Sequence, residues 1–242
     1  MRVSELYPKS PCRGQEVYIV GTGPTLRVFP VDYLKGKVCI LLNNAHRILP
    51  GLGPVAFSNH RAFLQKDNCQ CPVQVVKGRL KYDPNPERTD NHVEWEDPKY
   101  HVFSYREPPW DNISHFDDAS LWREPDFYWN TPHGSVSIFA CQFALLAGAT
   151  AIHLVGCDCC EFTGKNADHE KDGLLKCASH KARGPKSMRH DYDAYARGLM
   201  RMVREGRKRF GVPIFTCSPF PGFGREQEQF RELQQYADNG WR

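Results

Sequence analysis

Six short runs of the chain are apolar at nearly every position, and each stops abruptly in small or polar residues. Glu16–Val20 (EVYIV) ends at Gly21-Thr22-Gly23-Pro24-Thr25, Val38–Leu42 (VCILL) at Asn43-Asn44, and Val55–Phe57 at Ser58-Asn59-His60. Val73–Val76 is a fourth run; Ala151–Val155 (AIHLV) leads into Gly156-Cys157-Asp158 and Pro213–Cys217 (PIFTC) into Ser218-Pro219. Short β-branched and aliphatic runs with no polar face predict strands covered on both sides. That is the arrangement of a parallel sheet between two layers of helices.

The segments between the runs supply the helices. Ser135–Ala147 (SVSIFACQFALLA) is almost wholly apolar and ends at Gly148, which predicts a buried helix closed by a glycine. Over His190–Phe210, Tyr192, Tyr195, Ala196, Leu199, Met202 and Val203 recur at three- and four-residue spacing among arginines, and Gly211 stops the pattern. Arg225–Ala237 reads as an amphipathic terminal helix. Alternation of strand and helix predicts the α/β class, a Rossmann-like, mostly parallel sheet with helices on both faces. Residues 78–130 break the pattern: they are rich in Pro, Asp, Trp and Tyr and show little periodicity. They are expected to form an irregular, lid-like insertion over the functional edge, within a single domain spanning 1–242. Their aromatics (Trp95, Tyr100, Tyr105, Trp110, Trp122, Tyr128, Trp129) suit either an acceptor pocket or the packing of the lid itself.

Composition narrows this further. With 40% hydrophobic, 12% aromatic and 25% charged residues in 242, the chain is neither disordered, coiled-coil nor collagen-like, and it can fill one sizeable core. No run approaches the roughly 18 apolar residues of a membrane span. The first residues, MRVSELYPKSPCRGQE, lack the apolar centre of a secretory signal, so a soluble, cytoplasmic protein is expected. The net charge of +4 conceals a basic block: Lys176 to Arg209 holds eleven Lys or Arg against three acids. Such a block suits an anionic partner or a solvated helix face. Of ten cysteines, Cys39, Cys141 and Cys217 lie in apolar runs and read as core residues. Cys69 and Cys71 form C-x-C, and Cys157, Cys159 and Cys160 precede His169, Cys177 and His180. These spacings depart from the C-x₂₋₄-C of structural zinc sites, so no metal is assigned, with zinc on the second cluster as the alternative.

Ligands of an open parallel sheet lie beyond the carboxyl ends of its strands, and the polar residues gather there: Gly21-Thr22-Gly23-Pro24-Thr25, Asn43-Asn44, Ser58-Asn59 and Gly156-Cys157-Asp158. A glycine loop brings backbone close to a phosphate or ribose, and asparagines offer both donor and acceptor to a base or hydroxyl. Pro24 breaks the dinucleotide fingerprint G-x-G-x-x-G, and there is no Walker A motif.

GTGPTL after the first strand, NNA after the second, HGSVSIFACQFALLAG feeding AIHLVGCD, and His190 opening a helix before PIFTCSP resemble, in this order, the bacterial lipooligosaccharide sialyltransferases. The likeness covers about residues 15–60 and 131–219. It extends to a wider group with phage and bacterial proteins of unknown role and archaeal hydroxymethylpterin diphosphokinases. The resemblance implies a metal-independent enzyme with a Rossmann-like fold that uses CMP-sialic acid as substrate, with no separate cofactor. It places the nucleotide on Gly21, Thr22, Gly23, Pro24 and Thr25, the reacting sugar and phosphate near Asn43 or Asn44, and the ribose on Asn59 beside Ser58. The base falls near His133, Gly134 and Ser135, with Gly156 and Asp158 completing the pocket. His190 matches the general base for the acceptor hydroxyl, with His180 as its rival. Histidine supplies such a base near neutrality unaided, and Arg189, Arg183 or Lys186 can balance the departing phosphate without a metal.

The chain also departs from that pattern. Cys159, Cys160, Glu161 and Phe162 stand where the family places tyrosines after Gly-x-Asp, and Tyr128–Thr131 lacks its arginine. The nucleotide pocket therefore transfers better than the donor sugar. The expected activity is transfer of a sugar from a nucleotide-sugar, CMP-linked by preference, to a hydroxyl on a glycan, small molecule or modified nucleic acid, with a homo-oligomer as a possible assembly. Two rivals stand beside it. One is pyrophosphoryl transfer from ATP, which needs Mg²⁺ on carboxylates and finds only Asp158 at a strand end. The other is a non-catalytic module that holds a nucleotide or nucleic acid on the basic block.

Overall fold

Eight strands form the sheet: β1 (Glu16–Val20), β2 (Val38–Leu42), β3 (Val55–Ser58), β4 (Val73–Lys77), β5 (His101–Arg106), β6 (Phe127–Trp129), β7 (Ala151–Val155) and β8 (Ile214–Thr216). Every pairing is parallel, and the spatial order is β6-β5-β4-β3-β2-β1-β7-β8. The computed structural model describes residues 1–23, 26, 29–59, 61–65, 69–78, 98–106, 126–129, 135–157 and 198–217. The chain thus winds outward from β1 through β6, returns, and places β7 on the other side of β1. This is a doubly wound α/β fold of Rossmann-like type.

Alternation along each strand divides the core between the two faces. Val17, Ile19, Ile40, Leu42, Val55, Phe57 and Val75 pack with the helix Val136–Leu146 and with Leu199 and Met202 of a helix over 198–205. On the opposite face, Tyr18, Val20, Cys39, Leu41, Ala56 and Val76 pack with Leu34, Ala45 and Leu64. The last two belong to the short helices α1 (Ala45–Ile48) and α2 (Ala62–Gln65); the two longer helices are α3 (Val136–Leu146) and α4 (198–205).

In α3, Ser137 through Leu145 are all buried, which is why its sequence shows no polar stripe. Ser135 caps its start by accepting from the Ser137 N–H at 3.3 Å, and Gly148 (φ +82°) lets the chain leave its end. Truncating Phe139 or Phe143 beneath the sheet is expected to cost about 3–5 kcal/mol. Among the described residues no helix is long and apolar enough to cross a membrane.

Within the stretch 78–130, two described segments belong to the sheet. Residues 101–106 and 127–129 extend it as β5 and β6 rather than forming irregular structure, and 79–97, 107–125 and 130 lie outside the described residues. The two strands escaped notice because each is short and set among Pro and Asp, while their packing is long-range. Phe103 stacks on Phe57 at 5.0 Å and on Tyr128 at 4.8 Å, and the Tyr128 and Tyr7 hydroxyls meet at 2.9 Å. Burial holds both phenols above their ordinary pKa. Tyr100 and Tyr128, counted among possible acceptor-pocket aromatics, are instead core residues. The amino-terminal residues, whose sequence carries no strand or helix signal, also join the core. Arg2 bridges to Val102, and Val3, Leu6, Tyr7 and Cys12 pack beneath the sheet. Trp95, Trp110 and Trp122 and the expected helix 225–237 lie outside the described residues.

Candidate functional site

Because all strands are parallel, their carboxyl ends share one edge, and four neighbours in the order β3-β2-β1-β7 bring the sequence-predicted residues into a row. Ser58 and Asn59 come first, then Asn43 and Asn44, then Gly21-Thr22-Gly23, then Gly156. The strand order reverses between β1 and β7, which is where an open sheet parts its connections and leaves a crevice.

At that reversal the two loops touch backbone to backbone. The Gly21 N–H donates to the Val155 carbonyl at 2.8 Å, and the Gly23 N–H to the Gly156 carbonyl at 2.7 Å. A Cβ on Gly21 would lie 2.5 Å from the Gly156 oxygen; one on Gly156 would lie 2.8 Å from the Gly21 oxygen, at φ +59°. The glycines are thus required by the approach of β1 to β7. The Gly21 and Gly23 amides are committed within the fold, so this part of the loop does not offer those two N–H groups to a phosphate. What it offers is close backbone approach.

The β2 end is a second built feature. Asn43 adopts a left-handed conformation (φ +48°), tolerated by asparagine better than by most residues. Its N–H donates to the Phe57 carbonyl at 3.0 Å, its carbonyl accepts from His46 Nδ1 at 2.8 Å, and its Oδ1 accepts from Ser58 Oγ at 2.8 Å. A carbonyl only accepts, so His46 carries its proton on Nδ1. With Oδ1 taken by Ser58, the amide NH₂ is the group Asn43 brings to a ligand. Asn44 is buried beside it at the start of α1.

Asn59 differs from Asn43: its Oδ1 is shielded from solvent and has no hydrogen-bond partner among the described residues. An acceptor left so costs about 1–3 kcal/mol, a debt that a ligand hydroxyl would cancel. Ser135 stands at the start of α3, which runs back toward the amino end of β7, so the helix's positive end lies on the carboxyl edge.

The described site residues carry no formal charge. Sequence reasoning passed over two cations there, Arg47 on α1 and Arg61 just ahead of α2, both half-buried within the first turns after β2 and β3. It also passed over His46, whose signal was its position three residues beyond Asn43. Of the basic block 176–209, only the part from 198 onward lies within the described residues. Residues 201–209 lead through a π-helical turn (Gly206–Phe210) and Gly211 into the start of β8. Arg204, Arg207 and Lys208 are therefore exposed near the amino edge, away from the crevice.

Pro24, Thr25, His133, Gly134, Asp158, His180, Arg183, Lys186, Arg189 and His190 lie outside the described residues, as do Cys159, Cys160, His169 and Cys177. Cys157 is buried in the core, its thiol donating to the Ile19 carbonyl at 3.5 Å. Among the described residues no group of three or more His, Cys, Asp or Glu is placed to hold a metal ion. No protein-family model matches the chain, nor does any curated protein or solved structure.

Proposed function

We propose that the chain binds a nucleotide in the crevice between β1 and β7 and acts as a metal-independent glycosyltransferase. It would move a sugar from a nucleotide-sugar, CMP-linked by preference, to a hydroxyl acceptor. One observation carries the reading: the polar ends of four adjacent strands meet where the strand order reverses. Neutral donors and acceptors at such a place suit a nucleoside more than a metal-bound triphosphate. The orphaned Asn59 Oδ1 suits a ribose hydroxyl, and the Asn43 amide, held by Ser58 and His46, suits a phosphate or sugar oxygen. The positive end of α3 with Arg47 and Arg61 favours the leaving phosphate.

His190 would take the acceptor proton and Arg189 would balance charge on the departing nucleotide. These roles follow from the likeness to lipooligosaccharide sialyltransferases.

Thermal-shift measurements with CMP, UDP, GDP, ATP and their sugar conjugates test the binding, because a ligand of the native state raises the melting point by mass action. A cytidine compound is expected to give the largest rise; no rise with any of them removes the reading. For the chemistry, H190A should abolish transfer and H180A retain it, in EDTA as in buffer. The reverse result would give the base to His180, and loss of activity in EDTA would favour pyrophosphoryl transfer.

A further inference from the structure

We propose that Cys69 and Cys71 form a redox-responsive dithiol that closes to an intrachain disulfide by exchange with a low-molecular-weight disulfide such as oxidised glutathione. The pair occupies the connection between α2 and β4, where their thiols share a hydrogen bond. Gln74 of β4 folds back and clamps that connection, its Nε2 donating to the Cys69 carbonyl at 2.9 Å and the Cys71 carbonyl at 3.5 Å. From the other side the Cys69 N–H donates to the Leu64 carbonyl at 3.3 Å. Cys69 is half-buried and reachable, while Cys71 is 7% exposed. Residues two apart have α-carbons separated by at most about 7 Å, so any bend in the connection brings them within the span of a disulfide.

The chemistry of the two sulfurs is unequal. The Cys71 S–H donated to Cys69 stabilises the Cys69 thiolate, and with smaller contributions from the Cys71 backbone N–H and then Lys99 it pulls the Cys69 pKa down to about 7 against the effect of burial. Cys71 moves the opposite way, because its proton is held in that bond and it is buried. Burial alone pushes Cys217 up to about 12; it dominates at Cys12 and Cys39, which rise to about 11 and about 12. Those thiols are inert at neutral pH. An accessible thiolate beside a buried second thiol is the arrangement of an attacking and a resolving cysteine.

In the first step the Cys69 thiolate attacks one sulfur of glutathione disulfide; that S–S bond breaks and a glutathione thiolate leaves. In the second, Cys71 gives up its proton and attacks the Cys69 sulfur, expelling the second glutathione thiolate. Two protein thiols are oxidised to one disulfide, and one glutathione disulfide is reduced to two thiols. The connection enters β4 at the amino edge of the sheet, away from the nucleotide crevice, so this site stands independently of the proposed activity.

The native full chain, treated with millimolar oxidised glutathione, alkylated and digested with trypsin, yields a peptide 67–77 whose only cysteines are these two. It is expected two hydrogen masses lighter and free of alkyl groups, and C71S should instead trap glutathione on Cys69. In the untreated protein at pH 7, Cys69 should alkylate about tenfold faster than Cys39. A peptide 67–77 alkylated at both cysteines, or carrying glutathione on both without closing, overturns the proposal. The wild-type result decides it even if C71S fails to fold.

Discussion

Gly21 and Gly156 meet across the reversal of strand order so closely that neither has room for a methyl group. A Cβ on Gly21 would press on the Gly156 oxygen at 2.5 Å, and one on Gly156 would add left-handed backbone strain to a 2.8 Å clash. G21A and G156A are each expected to destabilise by about 2–4 kcal/mol, from overpacking against backbone and, at 156, from the disfavoured φ. Gly14 has φ +71° but open space around its α-carbon. G14A should therefore lose only about 1–2 kcal/mol, the backbone term alone. Urea midpoints of the three variants check the order, and a G21A as stable as wild type would mean that the two loops are not in contact.

Asn43 and Ser58 form the second junction of the site, and their bond is separable from the turn it supports. N43G keeps the left-handed turn and removes the side chain, whereas N43A removes both. N43A should be the less stable by about 1 kcal/mol. S58A should strand the Asn43 Oδ1 acceptor, and a double-mutant cycle of N43A with S58A should show coupling of about 1 kcal/mol. Additive single effects would mean the 2.8 Å bond contributes nothing.

Much of this was legible in the chain beforehand. The strands β1, β2 and β7 begin and end where their apolar runs do, because a strand covered on both faces is apolar along nearly its whole length. The polar residues after those runs fall at the carboxyl edge of the sheet for the same reason. β5 and β6 were not legible: HVFSYR mixes charge with apolar residues, and its support comes from Phe57 and Tyr128, distant in sequence. Nor could the sequence say that Gly21 and Gly23 spend their amides on β7, since glycine spacing is the same whether the partner is a ligand or a neighbouring strand. Of the basic block, Arg204, Arg207 and Lys208 are exposed, as a solvated helix face requires.

Glu205 is buried at the end of α4, and the guanidinium of Arg209 bonds its carboxylate one turn on. Removing the cation strands a desolvated carboxylate, so R209M should cost about 3 kcal/mol or more. E205Q keeps a hydrogen-bonding group of the same shape and should cost less. Equal losses in thermal or urea unfolding would show that Glu205 finds solvent when Arg209 is gone.

His153 lies between Tyr18, stacked at 4.5 Å, and Phe215 at 5.3 Å, with Glu16 3.6 Å from Nε2. Burial lowers its pKa, only partly offset by Glu16 and reinforced by Lys37. His101 is lowered as well, chiefly by burial. Below about pH 6.5 the unfolded chain therefore takes up protons that the folded chain refuses, and stability falls as pH drops through that value. H153Q should flatten the decline in unfolding free energy between about pH 6.5 and pH 5, leaving the His101 share. An unchanged slope would assign the decline elsewhere.

The measurement closest to the central claim is an amide NMR titration of the full ¹⁵N-labelled chain with CMP, UMP, GMP and AMP in turn. A nucleotide held at the strand-order reversal should shift Gly21–Gly23, Asn43, Asn44, Asn59, Ser135 and Gly156 together, most strongly with CMP. Shifts confined to Arg204, Arg207 and Lys208 at the amino edge, or none at millimolar nucleotide, would contradict it.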